Sequence, residues 1–126
     1  MPLKNYLVSL QDLIAETPFV NSTSIIYEER PPTAGLVKGT LVFADGSQLD
    51  FKEFIITQPT IQVIKYAYNY RKEHLHIFRY DNAYDPGARH LSTYPSHKHV
   101  PQGILDAHQP SLRQVLQEIV LALKVP

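Results

Sequence analysis

The apolar positions recur at two different periods, and the change between them marks out the elements. Leu3, Tyr6, Leu7, Leu10, Leu13 and Ile14 fall three and four residues apart, which predicts a helix over residues 3–16 with one apolar face. Pro2 suits its first turn, and Thr17-Pro18 ends it. From Ser22 the period drops to two, and alternation predicts strands over residues 24–29, 36–44, 48–57, 61–71 and 74–82. Val37, Leu41 and Phe43 share a face of the second strand. Leu49, Phe51, Glu53 and Ile55 share a face of the third, so a carboxylate stands in an apolar row. Tyr66, Tyr68 and Tyr70 line one face of the fourth.

The breaks fall between these runs. Arg30-Pro31-Pro32-Thr33 and Gln58-Pro59 interrupt the strands, Asp45-Gly46 predicts a two-residue hairpin, and Lys72-Glu73 is placed at the turn into the fifth strand. Residues 83–110, rich in Pro, Gly, His and Ser, read as one long loop, a feature that is uncommon in compact domains and often functional. A closing helix over residues 111–123 carries Leu112, Val115, Leu116, Ile119 and Leu123 as its stripe. Ser111 with Gln114 forms a capping-box pattern at its start. The expectation is a single α+β domain over residues 1–126: N-terminal helix, five-stranded antiparallel meander, long His-rich loop, C-terminal helix.

Composition narrows the function classes. Twelve basic residues balance twelve acidic ones, so no whole-molecule pull on nucleic acid or acidic membranes is expected, although a local patch is compatible with zero net charge. The absence of cysteine removes disulfides, thiolate chemistry and Cys-based zinc sites. No apolar run approaches the roughly 20 residues of a membrane helix, and the N-terminus lacks the pattern of a signal peptide. The expectation is a soluble protein of the cytoplasm.

The chemistry concentrates between His74 and His99, which holds five of the six histidines. In the fifth strand Leu75, Ile77, Arg79 and Asp81 share one face, read here as the core-facing one, and His76, Phe78, Tyr80 and Asn82 share the other. Burying a cation and an anion is costly unless they are paired, so Arg79 and Asp81 are candidates for more than packing. A salt bridge ordering the next loop explains them equally well. His97-Lys98-His99 places two imidazoles on one side of an extended chain, where they suit acid–base chemistry or anion binding. A solvated loop that happens to carry them is the slightly favoured bland explanation. An H-x-H pair is a weak zinc signal that needs a further ligand, for which His90 or Asp81 is available. A metal therefore ranks third, and no metal or cofactor is expected. Glu53 is expected to pair with Arg79 or Arg71, with a burial-raised general base as the alternative. The tyrosine row is read as cross-strand packing before a base-stacking platform.

The segments Phe78-Arg79-Tyr80-Asp81-Asn82-Ala83 and Tyr94-Pro95-Ser96-His97-Lys98-His99-Val100 together resemble the signature of TumE-type toxins from bacterial and archaeal toxin–antitoxin modules. The stretch around Glu53 and the strand ending Tyr70-Arg71 are similar to further segments of that family, so the resemblance runs from about Gly35 to Val100. The sequence departs from it at Tyr84-Asp85-Pro86-Gly87-Ala88-Arg89-His90, which replaces a shorter His-rich link. The resemblance implies a toxin whose partner is an antitoxin with a helix-turn-helix, with RNA cleavage as a common mode of action for such toxins.

The resulting expectation is a metal-independent endoribonuclease. One of His97 and His99 would take the proton of a ribose 2′-hydroxyl and the other would protonate the departing 5′-oxygen. Arg79 and Lys98 would stabilise charge on the phosphate, Asp81 would orient an imidazole, and Glu53 would be the reserve base. Lys98, Arg71, Tyr70 and Tyr80 are the candidate substrate contacts. The rival is a non-catalytic protein-binding module in which the same Arg/Asp/His cluster only stabilises the loop.

Overall fold

The computed structural model describes residues 2–124. A helix, α1 (Pro2–Glu16), leads into strands β1 (Val20–Arg30), β2 (Ala34–Phe43), β3 (Gln48–Ile56), β4 (Gln62–Lys72) and β5 (Leu75–Asp81). A connection containing a one-turn 3-10 helix (Pro86–Ala88) leads to β6 (His97–Val100) and β7 (Gly103–Asp106), and α2 (Leu112–Lys124) closes the chain. The strands form one antiparallel sheet in the order β1-β2-β3-β4-β5-β6-β7. The meander thus has seven strands rather than five. The additional hairpin comes from residues expected to be loop, because His-Lys-His and Gly-Ile-Leu-Asp carry too few apolar positions to show a period of two.

The turns also differ in detail. The β2–β3 link is closed by a hydrogen bond from the Gly46 N–H to the Phe43 carbonyl (2.9 Å), and only Gly46 takes a positive φ, of 85°. The turn is therefore one residue longer than a two-residue hairpin. At the next hairpin Lys72 pairs with Leu75, so Glu73-His74 turns the chain, with Glu73 at φ 55°.

Both helices cover the same face of the sheet. Leu3, Leu7, Leu10 and Ile14 of α1 and Leu112, Val115, Leu116 and Ile119 of α2 bury against Val37, Leu41, Phe43, Leu49, Phe51 and Ile55, the tyrosine row of β4, and Phe78. The Ser111 hydroxyl accepts from the Gln114 N–H (3.2 Å), and the Gln114 side chain accepts from the Ser111 N–H (2.9 Å), so the capping box forms as expected. The face of β5 that meets the core is Phe78 with Tyr80, which corrects the expected orientation. Arg79 and Asp81 point the other way, and Leu75 is 64% exposed. Bulky aromatics win the covered side because they bury more apolar area. No helix among the described residues is long and apolar enough to cross a membrane.

Gly39 is fixed by this packing. It faces Phe51 across the β2–β3 ladder, and a Cβ there would lie 2.2 Å from the ring. Gly39→Ala is expected to destabilise the fold by about 1–3 kcal/mol through overpacking, read as a lower urea midpoint. An unchanged midpoint would show that the ring has room to move.

Candidate functional site

The register of the sheet assembles the site on the face the helices leave open. Residues directly opposed across an antiparallel pair leave the sheet on the same side. One cross-strand row runs Lys38, Lys52, Ala67, Asp81, His97 and Asp106. The neighbouring row runs Thr40, Asp50, Asn69, Arg79, His99 and Ile104. Where β5 meets β6, the two rows bring Arg79, Asp81, His97 and His99 together.

The contacts are close. His97 Nε2 lies 3.2 Å from Asp81 Oδ1 and 3.1 Å from His99 Nε2. The two rings meet edge-on. His97 Nδ1 lies 2.7 Å from the Pro95 carbonyl oxygen. Arg79 Nε is 3.0 Å from Asp81 Oδ2, yet that oxygen is buried and accepts no hydrogen bond, so the contact is an ion pair without hydrogen-bond alignment. Asp81 Oδ1 also accepts from the Ala83 N–H (3.0 Å), which starts the connection to β6. His97 and Asp81 are sealed from water, whereas the side chains of His99 and Arg79 are 30% and 46% exposed. Ligand atoms of Asp81, His97 and His99 all lie within 4.8 Å of one another, near enough to converge on one cation.

Burial is the main cause that holds the His99 imidazole below its ordinary pKa. His97 and Arg79 push the same way, and Asp81 and Asp85 oppose them. Asp85 was not anticipated. Its Oδ2 stands 3.6 Å from His99 Nε2, while its other oxygen accepts from the Gly87 N–H and starts the 3-10 turn. Nothing in the strand periodicity points to it, since its position depends on the course of the connection.

Lys38 and Lys52 were also missed. They oppose one another directly across β2 and β3, are exposed, and form no ion pair among the described residues. With Arg79 and Ala67 they line two adjoining grooves, of about 450 and 800 Å³, that run along the open face to Asp81 and Tyr84.

The remaining expected residues do not join the cluster. Arg71 shares the open face but pairs with Asp50 (3.3 Å) at its far end. Tyr70 is buried under the helices and its hydroxyl donates to Ser47 Oγ (2.7 Å). Tyr80 also lies on the helix side, where its hydroxyl donates to Glu118 (2.6 Å). Lys98 Nζ donates to the same carboxylate (2.8 Å) and sits over the Tyr80 ring, 4.8 Å from its centroid. Lys98 therefore ties β6 to α2 instead of facing Arg79. Glu53 pairs with neither arginine. It is 1% exposed on the helix side, where Tyr6 and Tyr68 each donate a hydroxyl hydrogen bond of 2.5 Å to it. The alternation of β3 explains the correction, because Glu53 lies in the apolar row and Arg79 on the opposite face.

With the geometry in place, the comparisons identify the family. The family model described as Toxin TumE matches residues 10–123, nearly the whole chain. This chain belongs to the TumE toxin family. TumE membership makes it the toxin of a toxin–antitoxin module and implies an antitoxin as its partner. No curated protein and no solved structure matches the chain. The Arg79-Asp81 and His97-His99 segments that resemble the TumE signature are those the sheet brings into contact.

Glu53 of this TumE chain generates a pH prediction. Burial raises its pKa above the ordinary 4.5, and the two tyrosine hydrogen bonds offset only part of that rise. A carboxyl whose folded pKa is raised contributes stability below its unfolded pKa, and that contribution is lost as pH climbs through the folded value. Stability attributable to Glu53 is therefore expected to fall as pH rises from about 4.5 toward neutrality. Glu53→Gln should remove that fall, measured as the pH dependence of the urea midpoint. A variant with the same slope as the parent would show that Glu53 ionises without penalty.

Proposed function

We propose that this TumE toxin acts on RNA, laying a single strand along the open sheet face and cutting a phosphodiester at the Arg79–Asp81–His97–His99 cluster. The observation that carries this is the pair Lys38 and Lys52, without an ion pair among the described residues, in the cross-strand row that leads to the cluster. Like charges directly opposed on a sheet are unfavourable, so Lys38 beside Lys52 suits a face built to meet an anion. Phosphates spaced along a strand supply that anion, and release of their counterions would drive binding at zero net protein charge. Arg79 turns its Nε toward Asp81, which leaves the ends of its guanidinium fork for the phosphate oxygens.

The division of labour between the histidines differs from a general acid and general base on opposite sides of the phosphate. With Nε2 atoms 3.1 Å apart, no phosphate fits between the rings, and His97 is sealed. Arg79 and the partly exposed His99 present the reacting centre on the open face, and the sealed Asp81 and His97 hold them from behind. The tyrosines of β4 are buried and offer no stacking surface, so binding is electrostatic and sequence-tolerant. The antitoxin is one with a helix-turn-helix, as the family resemblance implies, and action on RNA places the toxin in the cytoplasm.

Two classes of variant test this on a short RNA. Arg79→Ala is expected to lower cleavage by about 100-fold or more, as removal of a group that stabilises transition-state charge does. Lys38→Ala with Lys52→Ala should instead weaken binding and reduce the salt dependence of log K by about 0.7 for each phosphate that is no longer neutralised. RNA that stays intact with the parent protein, or cleavage that survives Arg79→Ala, would contradict the proposal.

A further inference from the structure

We propose that Asp81, His97 and His99 form a binding site for one divalent transition-metal cation. The binding itself follows from the geometry of the cluster, whereas its use in cleavage rests on the function proposed above.

A carbonyl oxygen only accepts, so the 2.7 Å contact to Pro95 requires the proton of His97 to reside on Nδ1. In the neutral ring Nε2 then carries a lone pair. That lone pair faces Asp81 Oδ1 at 3.2 Å and His99 Nε2 at 3.1 Å. Asp81 adds a second electron-rich atom, because its buried Oδ2 accepts no hydrogen bond. A proton on either Nε2 bridges one of these contacts, and Asp81 Oδ2 still accepts no hydrogen bond. Buried acceptors without partners are costly. A cation at their centre satisfies all of them.

The dimensions agree. Metal–ligand bonds of about 2.0–2.1 Å put neighbouring ligand atoms about 2.9 Å apart in octahedral and about 3.3 Å apart in tetrahedral sites. His97 Nε2 meets this spacing to His99 Nε2 (3.1 Å) and to Asp81 Oδ1 (3.2 Å), while His99 Nε2 and Asp81 Oδ2, 3.8 Å apart, would draw together around a cation. The frame is rigid, with His97 and His99 two positions apart on β6 and Asp81 opposite His97 on β5. A backbone carbonyl already orients one imidazole through its far nitrogen, the arrangement common around metal-ligating histidines. Two imidazoles and one carboxylate suit zinc, manganese, iron, cobalt or nickel ahead of calcium. His99, 30% exposed, leaves the site open to solvent on one side, with Asp85 3.6 Å from its Nε2 and Arg79 against Asp81. An open position is the mark of a catalytic rather than a structural metal. There a cation would act as Lewis acid on the phosphate held by Arg79.

The test uses the full, tag-free chain, stripped with EDTA and dialysed, then titrated with Co²⁺ and Zn²⁺. Co²⁺ should develop a visible d–d absorption that saturates at a single site per chain and is displaced by Zn²⁺. Zn²⁺ should raise the melting temperature of the parent. His99→Ala, His97→Gln and Asp81→Asn should each weaken Co²⁺ binding by about 100-fold or more, and His90→Ala, exposed and outside the cluster, should not. His99→Ala keeps the test open if the buried variants fail to fold. Absence of a saturable Co²⁺ signal, or a signal unchanged in His99→Ala, overturns the site. RNA cleavage in the same preparations separates the two proposals. Cleavage that persists without any Co²⁺ site sinks the metal and keeps the ribonuclease. A site that binds Co²⁺ while RNA stays intact does the reverse.

Discussion

Asp81 and His97 oppose one another across the β5–β6 ladder, and that pairing decides where every reactive group of the open face stands. In an antiparallel pair opposed residues leave on the same side, so a shift of one position would carry Asp81 or His97 under the helices. The same register sets His99 opposite Arg79 and fixes a four-residue cluster on two strands without help from a flexible loop. The connection between the strands wraps around it. The Ala83 N–H binds Asp81, Asp85 approaches His99, and the Pro95 carbonyl receives the His97 N–H. The segment that looks like a loop thus builds the walls of the site.

Polarity is divided between the two faces of the sheet. On the covered side the ionisable groups are matched by specific partners: Glu53 by Tyr6 and Tyr68, Glu118 by Tyr80 and Lys98. These contacts fasten α1 to β3 and α2 to β5 and β6. On the open side the cations of β2 and β3 oppose each other, and an acceptor of Asp81 goes without a hydrogen bond. The unsatisfied charge and the unsatisfied lone pairs therefore lie on the same surface. A face designed only for stability would not collect them, because among the described residues the two lysines have no ion pair and the Asp81 oxygen meets Arg79 without a hydrogen bond.

Much of the framework was legible in the alternation of residues. Both helices, five strands and the capping box at Ser111 follow from periodicity and local chemistry. So does the proximity of Arg79 to Asp81 and of His97 to His99, since residues two apart on a strand share a side. The last hairpin was illegible because β6 and β7 are four residues each and carry polar side chains where a longer strand would show apolar ones. Which face of β5 met the core was misjudged because Arg79 and Asp81 follow Leu75 and Ile77 on one side. The aromatic pair Phe78 and Tyr80 on the other side has the larger area to bury. Lys98 lies between the two histidines and therefore points away from both, a consequence of the strand that reading the segment as loop conceals. Lys38 and Lys52 were not legible as a pair, because a two-residue turn at Asp45-Gly46 would set Lys38 opposite Glu53, and the extra residue of the actual turn brings Lys52 there instead. Asp85 was not legible either, because only the folded connection brings it near.

The most direct measurement is an NMR titration of the toxin with a short single-stranded oligonucleotide that lacks 2′-hydroxyls and so is not cut by transfer to that group. Binding on the open face predicts shift changes at Lys38, Lys52, Arg79 and the His99 ring, with Tyr68 and the residues of α1 and α2 unmoved. Changes centred on the two helices, or no changes at low salt, would contradict it.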